Sequence, residues 1–525
     1  MILKKEKLKI LLLLFILSTY AYLVNWYSAN IGVLPIDTFG FMDSSNSVLK
    51  GHLPIRDFWI FTGLLLDYMG AFFLKVFGNN WNSYLAHSSV MNIVATLGLF
   101  FFLKELKLKL KYIFFYSVSF ATLCYPLIGT PFAYVHAYIF SLLLILNLII
   151  AINNKNGFLW FIFPYICSFA FLSMQTPTAF ILLTATIFLV YYFYKYKDFK
   201  NLKFFIYGSV SSLILFCLFL YITKTPLINF IYQYILFPLT IGEGRIVSDD
   251  AAYVELIDQL NLKRLFGDFK FIHFFLLPLI FFSLKNKSKI SEQDNIINWM
   301  IILSTLAFIF NQLITANQIY IFSLIPVLAG VLHYNLDKLN FDIKISYLII
   351  LLVLFATIKF HYRFNIDRKF LDLESVKKDN AISASEIHVN LKNLKWLSRY
   401  DNPENELKVL KQALKIVDKD DRNLTLITHY NFMSTVLNKN FFLLNRWYLW
   451  DNNTHPTENH KYFDFYKSLV NKNIKSNNVE VIYLLGQKNE IIFDKVKNYF
   501  TDVCFKSKTL VENKFSIHEI VSCSK

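Results

Sequence analysis

The chain has 525 residues, 55% of them hydrophobic and only 17% charged, with a formal net charge of +16. A soluble protein would carry about a quarter charged residues; the deficit lies before residue 360, which excludes a wholly soluble fold and marks one domain boundary. The basic excess sits in short stretches between apolar runs, the pattern of cytoplasmic retention rather than of a nucleic-acid partner, and five cysteines without a CxxC spacing exclude a zinc knuckle or thioredoxin-like motif.

Apolar stretches near the ~20 residues that cross hydrocarbon fall at 8–27, 81–103, 112–128, 132–152, 158–173, 177–194, 203–222, 269–284, 297–313, 318–334 and 345–360. The first has the basic start of a signal peptide. Its apolar run is long, however, and Asn25-Trp26-Tyr27 offers no small-residue cleavage site, so it reads as an uncleaved span. Lys104, Lys107, Lys109 and Lys111, then Lys155, then Lys195, Lys197, Lys200 and Lys203 fall in alternate loops. Lys285, Lys287, Lys289, Lys338 and Lys344 continue the alternation, whereas the connections near 129–131, 174–176 and 314–317 carry no Lys or Arg. This asymmetry places the N-terminus in the cytoplasm. About eleven spans then put residues 361–525 on the outer face.

Two outer segments, 28–79 and 223–268, are too long to be mere connectors. In the first, Thr38–Leu49 has helical length and follows an Asp-Thr cap signal. Phe58–Phe77 is apolar but broken by Gly63, Asp67 and Gly70. It reads as an interfacial helix, because counting it as a span would invert every later lysine loop.

An acidic residue, Asp37, thus stands just outside the first span. A helical segment follows, then Gly51-His-Leu-Pro-Ile-Arg-Asp-Phe58, then Gly63-Leu-Leu-Leu-Asp-Tyr68 and Phe77-Gly78. This order resembles the GT-C superfamily of polyprenyl-phosphate-dependent glycosyltransferases, which includes protein O-mannosyltransferases and lipid A aminoarabinose transferases. The family's usual text is GxxPYRDF and GPLxY; here Ile55 replaces the Tyr and Leu64 the Pro. The resemblance implies a reaction in which an acceptor hydroxyl attacks the anomeric carbon of a sugar phosphate and the lipid phosphate leaves. It also implies that Asp37, in the family's acidic position, is the general base. Spacing alone favours a helix N-cap, a role that can coexist with catalysis, and it is the resemblance that points to the base. Asp43 lies six residues on, facing away from Asp37 on a continuous helix, and is the weaker candidate. Two readings fit Arg56 and Asp57: an ion pair that shapes the loop, or an Arg56 that meets donor phosphate by bidentate hydrogen bonds. Phe171-Leu-Ser-Met-Gln-Thr-Pro-Thr-Ala-Phe180 resembles the family's Thr-Lys-Gln segment, with Gln175 retained and Met174 in place of the Lys.

In the second long loop, Arg245 stands between glycines and suits a phosphate or pyrophosphate head. Lys263 and Arg264 suit interfacial anchoring. Glu243, Asp249 and Asp250 lack a His or a second carboxylate set, so no metal is expected, although some family members need a divalent ion. His136 follows a tight outer turn and suits either contact with acceptor or phosphate, or a structural place among aromatic residues.

Beyond residue 360 the pattern alternates helix and strand: 406–417 helical, 424–428 a strand, 432–437 helical, 479–485 a strand, 490–499 helical. This predicts a small α/β domain with a partly parallel sheet. Thr428-His429-Tyr430 ends a strand where such domains place ligands. Arg446-Trp447-Tyr448 and Trp450-Asp451 suit either sugar stacking or packing of the domain onto the membrane part. Cys504 and Cys523 fall on neighbouring predicted strands, where an oxidising compartment permits a disulfide. No Walker A, GxGxxG or GxSxG motif occurs, which argues against an ATPase, dehydrogenase or serine hydrolase.

The expectation is a multi-pass α-helical protein of the bacterial inner membrane. Residues 1–360 form a GT-C-like transmembrane domain, and 361–525 a small periplasmic α/β domain. The expected activity moves one sugar from a polyprenyl-phosphate donor to a lipid or glycan acceptor, without cofactor, among membrane lipids. A flippase or transporter of lipid-linked glycan would show charged residues within the spans and internal repeats, and neither is evident. The Met174 departure keeps a third reading open, an inactive binder of lipid-linked sugar.

Overall fold

The structure, a computed structural model, describes residues 2–241, 261–285, 290–315, 320–450, 452–486, 488–501 and 503–523. Helix α1 (Ile2–Ala29) leads into the outer segment, which holds α2 (Pro35–Thr38), α3 (Met42–Leu49) and α4 (Leu64–Phe77). The bundle continues with α5 (Trp81–Glu105), α6 (Leu110–Leu123), α7 (Ala133–Asn154), α8 (Gly157–Ser173), α9 (Gln175–Tyr196) and α10 (Phe199–Ile222). Then follow α11 (Leu227–Ile241), α12 (Leu262–Gly267), α13 (Lys270–Lys285), α14 (Glu292–Ile314), α15 (Leu324–Lys338) and α16 (Ile343–His361).

Every one of the eleven expected segments contains a helix. Among the described residues, seven helices are long and apolar enough to cross a membrane: α1 from Glu6, α5, α7, α9, α10, α14 and α16, the last continuing to Leu371. The other four, α6, α8, α13 and α15, have 14, 17, 16 and 15 residues. At 1.5 Å per residue these reach roughly 21–26 Å, short of a ~30 Å hydrocarbon core. Helices α5 and α7 run through the middle of the bundle, whereas α1, α10 and α16 turn Leu11, Phe15, Leu213, Leu215, Leu351 and Phe355 outward. Such apolar faces suit lipid rather than water.

The two ends of the bundle bring different groups together. At one end Lys195 pairs with Glu292, Lys338 with Asp294, and Gln293 donates to Asn153 at 2.7 Å. At the other, Asn25 donates to the Gly129 carbonyl at 3.0 Å and the Gly63 amide to Ser173 at 2.8 Å. Arg368, fully buried, gathers the carbonyls of Ile31, Pro126, Ile128 and Phe364 at this second end.

The C-terminal domain, called the outer domain after its expected side, sits on that second end. Two short strands, β1 (Ile382–Ser383) and β2 (Lys395–Trp396), pair antiparallel. Helix α17 (Pro403–Asp418) starts with Asn402 accepting from the Glu404 amide, Pro403 at its first position and Glu404 and Glu406 in its first turn. All three features favour a helix start. Strand β3 (Leu424–Thr428), α18 (Met433–Leu437), α19 (Phe463–Ser476), β4 (Val481–Leu485), α20 (Asn489–Val496), β5 (Cys504–Val511) and β6 (Phe515–Val521) complete it. The sheet order is β3-β4-β6-β5, with β3 and β4 parallel and the rest antiparallel. Both parallel strands are buried at every position, as strands covered on two faces are. Cys504 and Cys523 form a disulfide across the β5–β6 hairpin.

The boundary at 360 does not divide the core. Phe39, Phe41 and Met42 of the first outer segment pack in one cluster with Trp396, Leu426, Phe432 and Tyr483 of the outer domain. Backbone bonds join the same parts: Gly32 to Lys395 at 3.0 Å, Val33 to Leu397 at 2.8 Å and Trp59 to Leu444 at 2.8 Å. Residues 28–79 thus contribute to the outer domain's interior.

Candidate functional site

Asp37 lies inside the single turn of α2, whose first position is Pro35. The flanking Leu34 makes no side-chain cap bond, and Thr38 Oγ1 accepts the Leu34 amide instead. Asp37 is therefore not a helix cap. The expected continuous helix over 38–49 also breaks, because α2 ends at Thr38 and α3 starts at Met42. Gly40 sits in the break against the Trp447 indole, where a Cβ would come within 2.5 Å of Nε1. Asp37 as a residue keeps part of its surface exposed, while its carboxyl is buried. Burial and the Asp372 carboxylate together push its pKa up to about 7. Asp372 ends the turn after α16 and pairs with Arg399 at 3.0 Å. Tyr400 follows Arg399, and its phenol responds to the Asp37 charge. Asp37, Asp372, Arg399 and Tyr400 form one constellation at the junction of bundle and outer domain.

Asp43 is buried and serves the fold. It accepts the Ser434 amide at 3.2 Å, the Thr435 amide at 2.9 Å and the Thr435 hydroxyl at 2.7 Å, capping the start of α18. Burial raises its pKa to about 6, against the downward pull of these donors. Arg56 and Asp57 form the internal ion pair, at 2.6 Å. Arg56 also donates to the carbonyls of Thr223 at 3.0 Å and Gly51 at 2.7 Å, and Asp57 accepts the Leu53 amide at 2.7 Å. The pair closes the loop and ties it to the outer end of α10. Gln175 donates to the Phe61 and Tyr234 carbonyls at 2.8 and 2.7 Å, joining α9, the first outer segment and α11. His136 lies buried, bonded to Tyr125 at 2.7 Å and to His87 at 3.0 Å. Arg245 and its acidic neighbours Glu243, Asp249 and Asp250 lie outside the described residues. Arg264 pairs with Asp268 at 3.4 Å.

One arrangement has no local sequence signal. Asp67 on α4 and Arg446 of the outer domain form a fully buried ion pair, with Ser44 donating to Asp67 at 2.6 Å. The Arg446 guanidinium lies 4.4 Å from the Phe41 ring centre and 5.0 Å from that of Trp447. Trp447 in turn donates to the Ile36 carbonyl at 3.1 Å and packs on Phe61. Arg446 and Trp447 therefore dock the outer domain onto the membrane part.

Two cavities flank this junction. One, of about 430 Å³, opens sideways between α8, α9 and α10 and is lined mainly by apolar groups such as Phe163, Phe171, Leu172, Leu189 and Phe216. Its outer end meets the cluster of Ile55, Phe58, Leu64, Phe230 and Tyr234. The other lies at the ends of β3 and β4, where Thr428, His429, Tyr430 and Trp450 come together. Among the described residues no group of three His, Cys, Asp or Glu is placed to hold a metal ion. No family model matches the chain, and no curated protein matches it significantly.

Proposed function

We propose that the protein is a membrane glycosyltransferase that moves a sugar from a polyprenyl-phosphate donor to a lipid or glycan acceptor at the outer face. Asp37 carries this reading. Its carboxyl has no hydrogen bond tying it to the fold among the described residues, and its pKa of about 7 poises it to take a proton near neutral pH. In the proposed reaction the acceptor hydroxyl attacks the anomeric carbon while Asp37 removes its proton. The bond from that carbon to phosphate oxygen breaks, and polyprenyl phosphate leaves with the bonding pair. Arg399, half exposed beside Asp372, is positioned to meet the developing phosphate charge. The sideways apolar cavity between α8, α9 and α10 suits the donor's isoprenoid tail, with its outer end at the loop that Arg56 closes.

In this reading all eleven helices cross the bacterial inner membrane, the lysine-rich end is cytoplasmic, and the Cys504–Cys523 disulfide belongs to the oxidising periplasmic side. Transfer assays with radiolabelled polyprenyl-phosphate sugars and glycolipid acceptors test it. Asp37→Asn should lose at least ~100-fold in kcat, the scale of a general base, while remaining folded and membrane-inserted. Equal turnover in both proteins would remove Asp37 from the chemistry.

A further inference from the structure

The carboxyl ends of β3 and β4 open into a cavity of about 220 Å³. That is roughly seven waters at about 30 Å³ each, below the ~300–1,000 Å³ of pockets for drug-sized ligands. It has room for one ring and too little for a nucleotide. The walls are largely aromatic, with Tyr400, Tyr430, Tyr448 and Trp450. No Lys, Arg, Asp or Glu lines it among the described residues, so a phosphate or carboxylate would lie there without a counter-charge. His429 Nε2 lies 3.1 Å from the Tyr448 carbonyl, which places the ring proton on that nitrogen and leaves Nδ1 as an acceptor. Burial lowers the His429 pKa and so favours the neutral ring. Tyr430 is oriented by its bond to the buried Glu406 at 2.7 Å, a carboxylate that also accepts from Trp396 and Ser398.

Flat aromatic faces with a few neutral hydrogen-bonding groups fit a ring that has an apolar C–H face and a rim of hydroxyls. We propose that this cavity binds a neutral pyranose residue of the acceptor. Binding of the pyranose stands on the cavity itself, whereas its assignment to the acceptor rests on the transferase reading. Tyr400 links the two places, since it lines the cavity and stands within the field of the Asp37 carboxylate.

Saturation-transfer NMR on the detergent-solubilised full chain tests the proposal, using methyl glycosides of glucose, galactose, mannose and N-acetylglucosamine, with methyl glucuronide as the charged probe. At least one neutral glycoside should receive saturation at its ring protons. Affinity should fall at least tenfold in Trp450→Ala, and in Ile492→Trp, which fills the cavity without removing a wall. Asp37→Asn should bind as wild type does. Saturation of none of the four, unchanged saturation in Ile492→Trp, or preference for the glucuronide would overturn the site. Turnover without cavity-dependent binding overturns the site and leaves the transferase standing. Binding without turnover under any donor supports the pyranose site and removes its assignment to an acceptor.

Discussion

Asp37 is held where burial and a second carboxylate both resist its ionisation, and neither is offset by a cation bonded to it. A base with a pKa of about 7 should give a rate that climbs with pH as it deprotonates and levels off above neutrality. Asp372→Asn removes the repelling charge, so the rising limb of kcat against pH should move to lower pH. The same shift has a stability sign. The folded pKa is raised above the ordinary 3.8, so the stability tied to it is complete below about pH 4 and lost as pH rises through about 7. Asp37→Asn should therefore melt higher than wild type at pH 8 and equally below pH 4, by thermal shift in detergent. The sequence pointed to Asp37 through its place after the first span, but nothing near it announces Asp372 or Arg399. Those groups come from late in the chain, after α16, and only the fold sets them beside Asp37.

Helix α4 carries a charge into a dry interface, and the cost is met from another part of the chain. Breaking a buried pair leaves an uncompensated charge, so Arg446→Ala should destabilise by about 3–5 kcal/mol. Asp67→Leu with Arg446→Met should recover most of that loss, read as melting temperatures of the two variants. The hairpin β5–β6 is held differently. Its disulfide closes a sequence separation of 19, and Cys523→Ser should cost about 3 kcal/mol in the chain-entropy account. At this scale hydropathy was a sound guide, since an apolar run long enough for a span has few other ways to satisfy its backbone. Strands β3 and β4 were legible for a similar reason, as short apolar runs between turn residues. The break between α2 and α3 was not, because Gly40 yields to the Trp447 indole, a neighbour that no local pattern contains.

Across the whole molecule the bundle has two chemically different ends. Cysteines placed at Lys107 and Lys506 should react with a membrane-impermeant maleimide from opposite sides of sealed vesicles. Labelling of both from one side would overturn the two-sided arrangement, and labelling of each from the opposite side to that expected would reverse the proposed orientation. Composition located the change of character near residue 360, yet the interior of the outer domain ignores it. Phe39, Phe41 and Met42 pack into a core that also holds Trp396, Leu426, Phe432 and Tyr483. Hydropathy cannot report such a partnership, because it reads neighbours in the chain. The partnership also sets an order of events during synthesis. The first outer segment leaves the ribosome early, while the strands and helices that will cover its aromatic side chains are made last. Until then it waits at the membrane surface with that side uncovered. Protease accessibility of stalled chains should therefore persist at residues 38–49 through most of translation, and close only once the sheet is complete.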